Sequence, residues 1–145
     1  MPDAKTGRGG GPPHYDELLA RAEALIPVLR ERAARAEELR RLPDETIADL
    51  HQSGLFRVLQ PKRVGGSELP FRALVELVAV IARGCGSTAW VLANLAAHHW
   101  LFGMWPKQAQ DEVWGKSPDD LIGSALIFPR GRAQKVAGGY RLTGR

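Results

Sequence analysis

Apolar residues recur at helical spacing between His14 and Arg41. They are Leu18, Leu19, Ala22, Leu25, Ile26, Leu29, Ala33, Ala36 and Leu39, with charged residues in the intervals. The pattern predicts one long amphipathic helix over His14–Arg41. Pro27 falls inside it and is expected to kink or split the helix, because it lacks an amide donor and crowds the preceding turn. The charge-dense stretch from Arg30 to Arg41 is expected to be a solvated, salt-bridged face. Leu42-Pro43-Asp44-Glu45 then opens a second helix: proline suits the first helical position, and two acids suit the positive end of the dipole. Ile47, Leu50 and Leu55 form its inward side and Gly54 is a natural stop. Phe56 to Pro61 is expected to be extended, since a proline disfavours helix before it. Val64-Gly65-Gly66 reads as a turn.

A third helix is predicted from about Pro70 to Arg83, burying Leu74, Leu77, Val78 and Ile81, and Gly84-Cys85-Gly86 breaks it. Ser87 or Thr88 is expected to cap a fourth helix that runs to about Phe102. A short fifth starts at Pro106 and ends near Gly115. After Ser117-Pro118 the texture changes. Leu121–Phe128 reads as a strand, and Ala133–Val136 and Tyr140–Thr143 as two more joined by an Ala137-Gly138-Gly139 turn. Two or three strands without further partners would leave a raw edge and little apolar face. A β domain that continues past Arg145 is therefore the expectation. The organisation expected is a disordered leader over 1–13, a helical domain over 14–117, and the start of a truncated β domain over 118–145. The fold class is mainly α.

Composition narrows the function classes. The chain has 145 residues, 44% of them hydrophobic and 25% charged, which is ordinary for a globular domain. The net charge of +4 is spread along the chain with acids interleaved, and no zinc spacing or RNA-binding aromatic signature accompanies it, so no nucleic-acid partner is expected. A single cysteine, Cys85, excludes an internal disulfide and a cysteine zinc cage, and suits a reducing, cytoplasmic setting. Met1 to Pro13 has no apolar core of a signal peptide. Gly84 to Pro106 carries no charge, yet Gly86, Ser87, Thr88, Asn94, His98, His99 and Gly103 interrupt it. A buried central helix, not a membrane span, is expected there.

Several segments share their order and spacing with one family. Leu39-Arg40-Arg41-Leu42-Pro43-Asp44-Glu45-Thr46 is followed by Gly54-Leu55-Phe56, Leu59-Gln60-Pro61 and Gly65-Gly66. Then come Cys85-Gly86-Ser87-Thr88-Ala89-Trp90-Val91, His98 with Trp100, Ala109 to Gly115, and Gly138 to Gly144. The chain resembles the group D flavin monooxygenases from about Leu25 to Arg145. These are oxygenase components of two-component aromatic hydroxylases, on the acyl-CoA dehydrogenase fold. The resemblance implies an N-terminal helical domain, a middle β domain and a C-terminal bundle that drives homotetramer formation. It also implies reduced FMN or FAD supplied by a separate flavin reductase, and a flavin C4a-hydroperoxide that hydroxylates a phenolic substrate. The main catalytic residues are expected beyond Arg145. Two other readings stay open: an acyl-CoA dehydrogenase or related flavin oxidoreductase, and a non-catalytic helical interaction fragment.

Within the chain, His98 is the leading candidate for substrate binding. It shares a helix face with Asn94, Leu95, Leu101 and Phe102, and a neutral imidazole in an apolar wall can hydrogen-bond a phenol and favour its ionisation. The resemblance implies that a histidine at this position contacts the substrate hydroxyl. The alternative is a core histidine satisfied by a backbone carbonyl. His99 is rotated by about 100° on the same helix, so the two cannot converge on one metal, and no metal site is expected. Ser124, in Ile122-Gly123-Ser124-Ala125, matches a serine that faces the phenol in the family, although Gly123 and Ala125 depart from the family's serine-rich segment. The alternative for Ser124 is an ordinary strand serine. Trp90, Trp100, Trp105 and Trp114 are expected in core and inter-domain packing, the alternative being that one of them lines the flavin or substrate pocket, and Cys85 is expected as a small buried residue.

Overall fold

The computed structural model describes residues 13–124 and 131–144. Five helices come first: α1 Tyr15–Leu39, α2 Asp44–Gln52, α3 Phe71–Ala82, α4 Gly86–Gly103 and α5 Lys107–Trp114. Two strands follow, β1 Arg132–Val136 and β2 Gly139–Thr143. The mainly α class expected from sequence is what the structure has.

α1 is not split at Pro27. The proline lies on the exposed side, while Ile26 and Leu29 on either flank are buried and hold both halves to one core. The core-facing stripe of Leu18, Ala22, Ile26, Leu29 and Ala36 follows the predicted periodicity, but Leu39 ends up 42% exposed. Arg32 and Arg35 reach α2 instead of pairing within α1: Arg32 meets Asp49 at 2.6 Å, and Arg35 meets Glu45.

α3 packs on both α1 and α4. Its buried positions, Ala73, Leu74, Leu77 and Ile81, are spaced for one helix face. The link to α4 is tight, and at Gly84 a Cβ would stand 2.9 Å from that of Leu29. α4 begins earlier than expected. Cys85, in extended conformation, precedes its first turn, and neither Ser87 nor Thr88 caps it through a side chain. Cys85 itself is buried, as expected. α4 is apolar nearly all round, and it turns Thr88, Ala89, Leu92, Ala96, His99 and Phe102 inward.

The link between α2 and α3 corrects one expectation. Leu55–Arg57 is a short 3-10 helix, not an extended run, and Lys62–Val64 is another. Leu55 and Phe56 are fully buried, and burial in a compact turn overrides a proline whose steric reach covers chiefly the residue before it. Gly65, at φ +89°, closes the second turn, as expected.

β1 and β2 pair antiparallel, Arg132 opposite Thr143 and Val136 opposite Gly139, around Ala137-Gly138 with Gly138 at φ +80°. Leu121 to Ser124 form no strand. No ladder partner stands beside them among the described residues. The rest of that expected strand, residues 125–128, lies outside the described residues, as do residues 1–12 of the expected leader. No helix among the described residues is long and apolar enough to cross a membrane.

Candidate functional site

Adjacent positions on α4 face different ways, and this separates the two histidines. His99 is fully buried. Its Nδ1–H donates to the Phe56 carbonyl at 2.9 Å, and its ring lies edge-on to Trp114, 5.5 Å between centroids. A carbonyl only accepts, so the proton of the neutral ring sits on Nδ1. Nε2 is left buried without a hydrogen-bond partner among the described residues. Burial pushes the His99 pKa down. The Phe56 and Asp120 carbonyls oppose this more weakly, and Arg57 and His51 add to it.

His98 is half-buried and points to the other side. Its Nδ1 lies 2.6 Å from the Asn94 carbonyl and its Nε2 lies 2.6 Å from Ser124 Oγ. The same argument fixes its tautomer: Nδ1–H donates to Asn94, so Nε2 carries the lone pair and the Ser124 hydroxyl donates to it. Two residues 26 apart in sequence thus meet. The pair sits at the mouth of an apolar cavity of about 230 Å³ lined by His98, Leu101, Phe102, Trp105, Ile122 and Ser124. The Phe102 and Trp105 rings are 5.1 Å apart and tilted by 45°. A wall of this kind can hold a flat apolar ring and offer one polar edge to a hydroxyl on it.

A larger groove, about 490 Å³, runs between Ala36, Arg40, Arg41 and Trp90. Arg41 is tied there to Asp44, which raises the arginine's pKa and lowers that of the carboxyl. Glu37 is the one carboxylate in its lining, beside the two arginines. No group of three or more potential metal ligands occurs among the described residues.

Sequence reasoning placed Leu101 and Phe102 beside His98, but it did not single out Trp105 among the four tryptophans, and it missed Ile122 and the residues that hold the Ser124 segment. Of the four tryptophans only Trp114 is in the core, at 3% exposed. Trp90, Trp100 and Trp105 are 73%, 45% and 54% exposed, so they are not core residues of the helical domain. The one signal for the holding residues was Gln60, a lone polar residue after the apolar pair Val58-Leu59.

Comparisons with known proteins bear on this geometry. A family model described as the N-terminal domain of acyl-CoA dehydrogenase matches residues 18–115. The oxygenase subunit HsaA of a flavin-dependent monooxygenase from Rhodococcus jostii is 41% identical over 87% of this chain and 33% of its own. The oxygenase component of an FADH2-dependent resorcinol hydroxylase from a Rhizobium species is 38% identical over 92% of this chain and 32% of its own. The crystal structure of the HsaA monooxygenase from M. tuberculosis superposes with a TM-score of 0.86 at 38% identity, over 91% of this chain and 36% of that one. The chain thus spans about a third of the length of the curated relatives it matches.

Proposed function

The chain belongs to the acyl-CoA dehydrogenase N-terminal domain family, and from that membership we propose that it forms the substrate wall of the oxygenase component of a two-component, flavin-dependent monooxygenase that hydroxylates a phenol. The observation that carries this reading is the His98 Nε2 to Ser124 Oγ pair, 2.6 Å apart, at the mouth of the apolar cavity. An engineered cavity of roughly 150 Å³ is enough to hold benzene. The space beside Phe102 and Trp105, about 230 Å³, suits a single phenolic ring.

The hydrogen-bond directions give the pair its chemistry. The Ser124 proton already points at His98 Nε2, so the Ser124 oxygen has free lone pairs to accept the phenol O–H. As the phenol proton moves to Ser124, the serine proton moves to Nε2. The imidazolium formed keeps its other N–H on the Asn94 carbonyl. The phenolate left behind pushes electron density into the ring and makes the carbon beside the oxygen a better nucleophile.

Reduced flavin and oxygen supply the electrophilic hydroxyl in such a system. The cavity is too small for a tricyclic flavin. The same reading takes a flavin reductase as partner, FMNH2 or FADH2 as the reduced cofactor, a homotetramer of the complete protein and a cytoplasmic setting.

The test is His98→Ala in the full-length protein supplied with its reductase. Hydroxylation is expected to fall by about 100-fold or more, the usual size of a general acid–base contribution, with flavin affinity unchanged. Equal losses in both would mean that His98 holds structure, not substrate.

A further inference from the structure

Resting on the reading that His98 and Ser124 hold the phenol hydroxyl, we propose that Gln60, assisted by Trp114, is a positioning residue that sets Ser124 against His98. The segment from Ser117 to Ser124 has no helix or strand to fix it. Its one backbone hydrogen bond among the described residues is Asp120 N–H to the Ser117 carbonyl at 3.3 Å. Side-chain donors from the core take over that work.

Gln60 is fully buried, and its Nε2 donates to the Pro118 carbonyl at 2.7 Å. Its Oε1 accepts from Arg57 Nε at 2.9 Å. A flipped amide would set oxygen against the Pro118 carbonyl and N–H against the guanidinium, so the orientation is fixed. The backbone of Gln60 is pinned as well. Its carbonyl accepts from Glu68 N–H at 3.0 Å, and Gly66 lies so close that a Cβ there would stand 2.0 Å from that oxygen. Arg57 reinforces the clamp through Asp119 at 3.4 Å.

Trp114 adds the second hold. Its Nε1–H donates to the Asp120 carbonyl at 3.2 Å, while its ring lies edge-on to those of His99 and Phe102. Leu121 packs against the core just beyond. Only Ile122 and Gly123 then separate the anchored segment from Ser124. Gln60 does not line the cavity, so its influence on a bound ring passes through the segment. A hydrogen bond does not survive a shift of about 1 Å, so loss of the clamp is read at the Ser124–His98 pair.

The test uses the full-length protein with phenol itself as probe. Gln60→Leu, Ser124→Ala and the double variant are compared for phenol affinity, and Gln60→Leu is crystallised. Gln60→Leu is expected to weaken phenol binding by about 5- to 10-fold, the effect of one hydrogen bond, with flavin affinity unchanged. The double variant is expected to bind no more weakly than Ser124→Ala alone. Losses that multiply in the double variant, or a Gln60→Leu crystal in which Ser124 stays within hydrogen-bond distance of His98, would overturn the proposal. Should Gln60→Leu not fold, Trp114→Phe, which keeps an aromatic side chain but loses the indole N–H together with part of its volume, is judged on the same outcomes. If Ser124→Ala and His98→Ala both leave phenol affinity unchanged, the functional reading fails. The Ser124 to His98 separation in the variant crystal still decides whether Gln60 positions the segment.

Discussion

A protonated His99 would carry its charge with no exposed surface, and burial accordingly pushes its pKa below the ordinary histidine value. An unfolded histidine takes up its proton near pH 6.5. Between that value and the lower folded one, the unfolded state binds more protons, so stability rises with pH across that window. The contribution is complete above about pH 6.5 and is lost as the pH falls through the folded value. The urea midpoint is therefore expected to drop between pH 7.5 and pH 5. His99→Asn, whose amide N–H can replace Nδ1–H on the Phe56 carbonyl, is expected to flatten that drop, and an equally steep drop in the variant would assign it to other groups. The Arg41–Asp44 pair acts in a separate window, because a lowered carboxylate pKa matters only below about pH 4. At this scale the sequence was half legible. Helical geometry separated His98 from His99, and the family resemblance set His98 and Ser124 on one phenol, but nothing in the chain announced that Phe56 supplies the partner of His99 or that Ser124 bonds His98 directly. Those contacts span 43 and 26 residues and depend on the fold.

α3 and α5 lie within a residue or two of their expected bounds because proline and glycine punctuate them: Pro70 and Pro106 precede the first turns, and Gly115 follows the last. α4 was harder to orient. A helix apolar on all sides gives no periodicity from which to tell its solvent face, so the exposure of Trp90 and Trp100 was hidden. In α1 the propensity penalty of Pro27 was visible, but the tertiary packing that overcomes it was not. That penalty is still present in the folded protein, since the Glu23 carbonyl has no amide donor at residue 27. Pro27→Ala is expected to raise stability by about 1–3 kcal/mol, read as a higher denaturant midpoint with the m-value unchanged. A loss of stability would mean that the core is fitted to a bend which only the proline maintains.

Taken as a whole, the described residues offer an aromatic wall with one polar edge, and the cavity beside it, about 230 Å³, is too small for a flavin. A chain of residues 1–145 alone is expected to bind reduced FMN more weakly than about 1 μM in an anaerobic fluorescence titration. Submicromolar binding would place a flavin cleft within this chain and overturn that expectation. The distribution of the tryptophans has a consequence of another kind. Three indoles are at least 45% exposed and open to a small aqueous quencher, while Trp114 is sealed at 3% exposed. Its N–H is bonded to the Asp120 carbonyl of the segment that carries Ser124. With the exposed indoles silenced in a chain of residues 1–145, the remaining short-wavelength emission comes from Trp114, which makes that indole a native optical gauge of whether the polar edge of the cavity is in place.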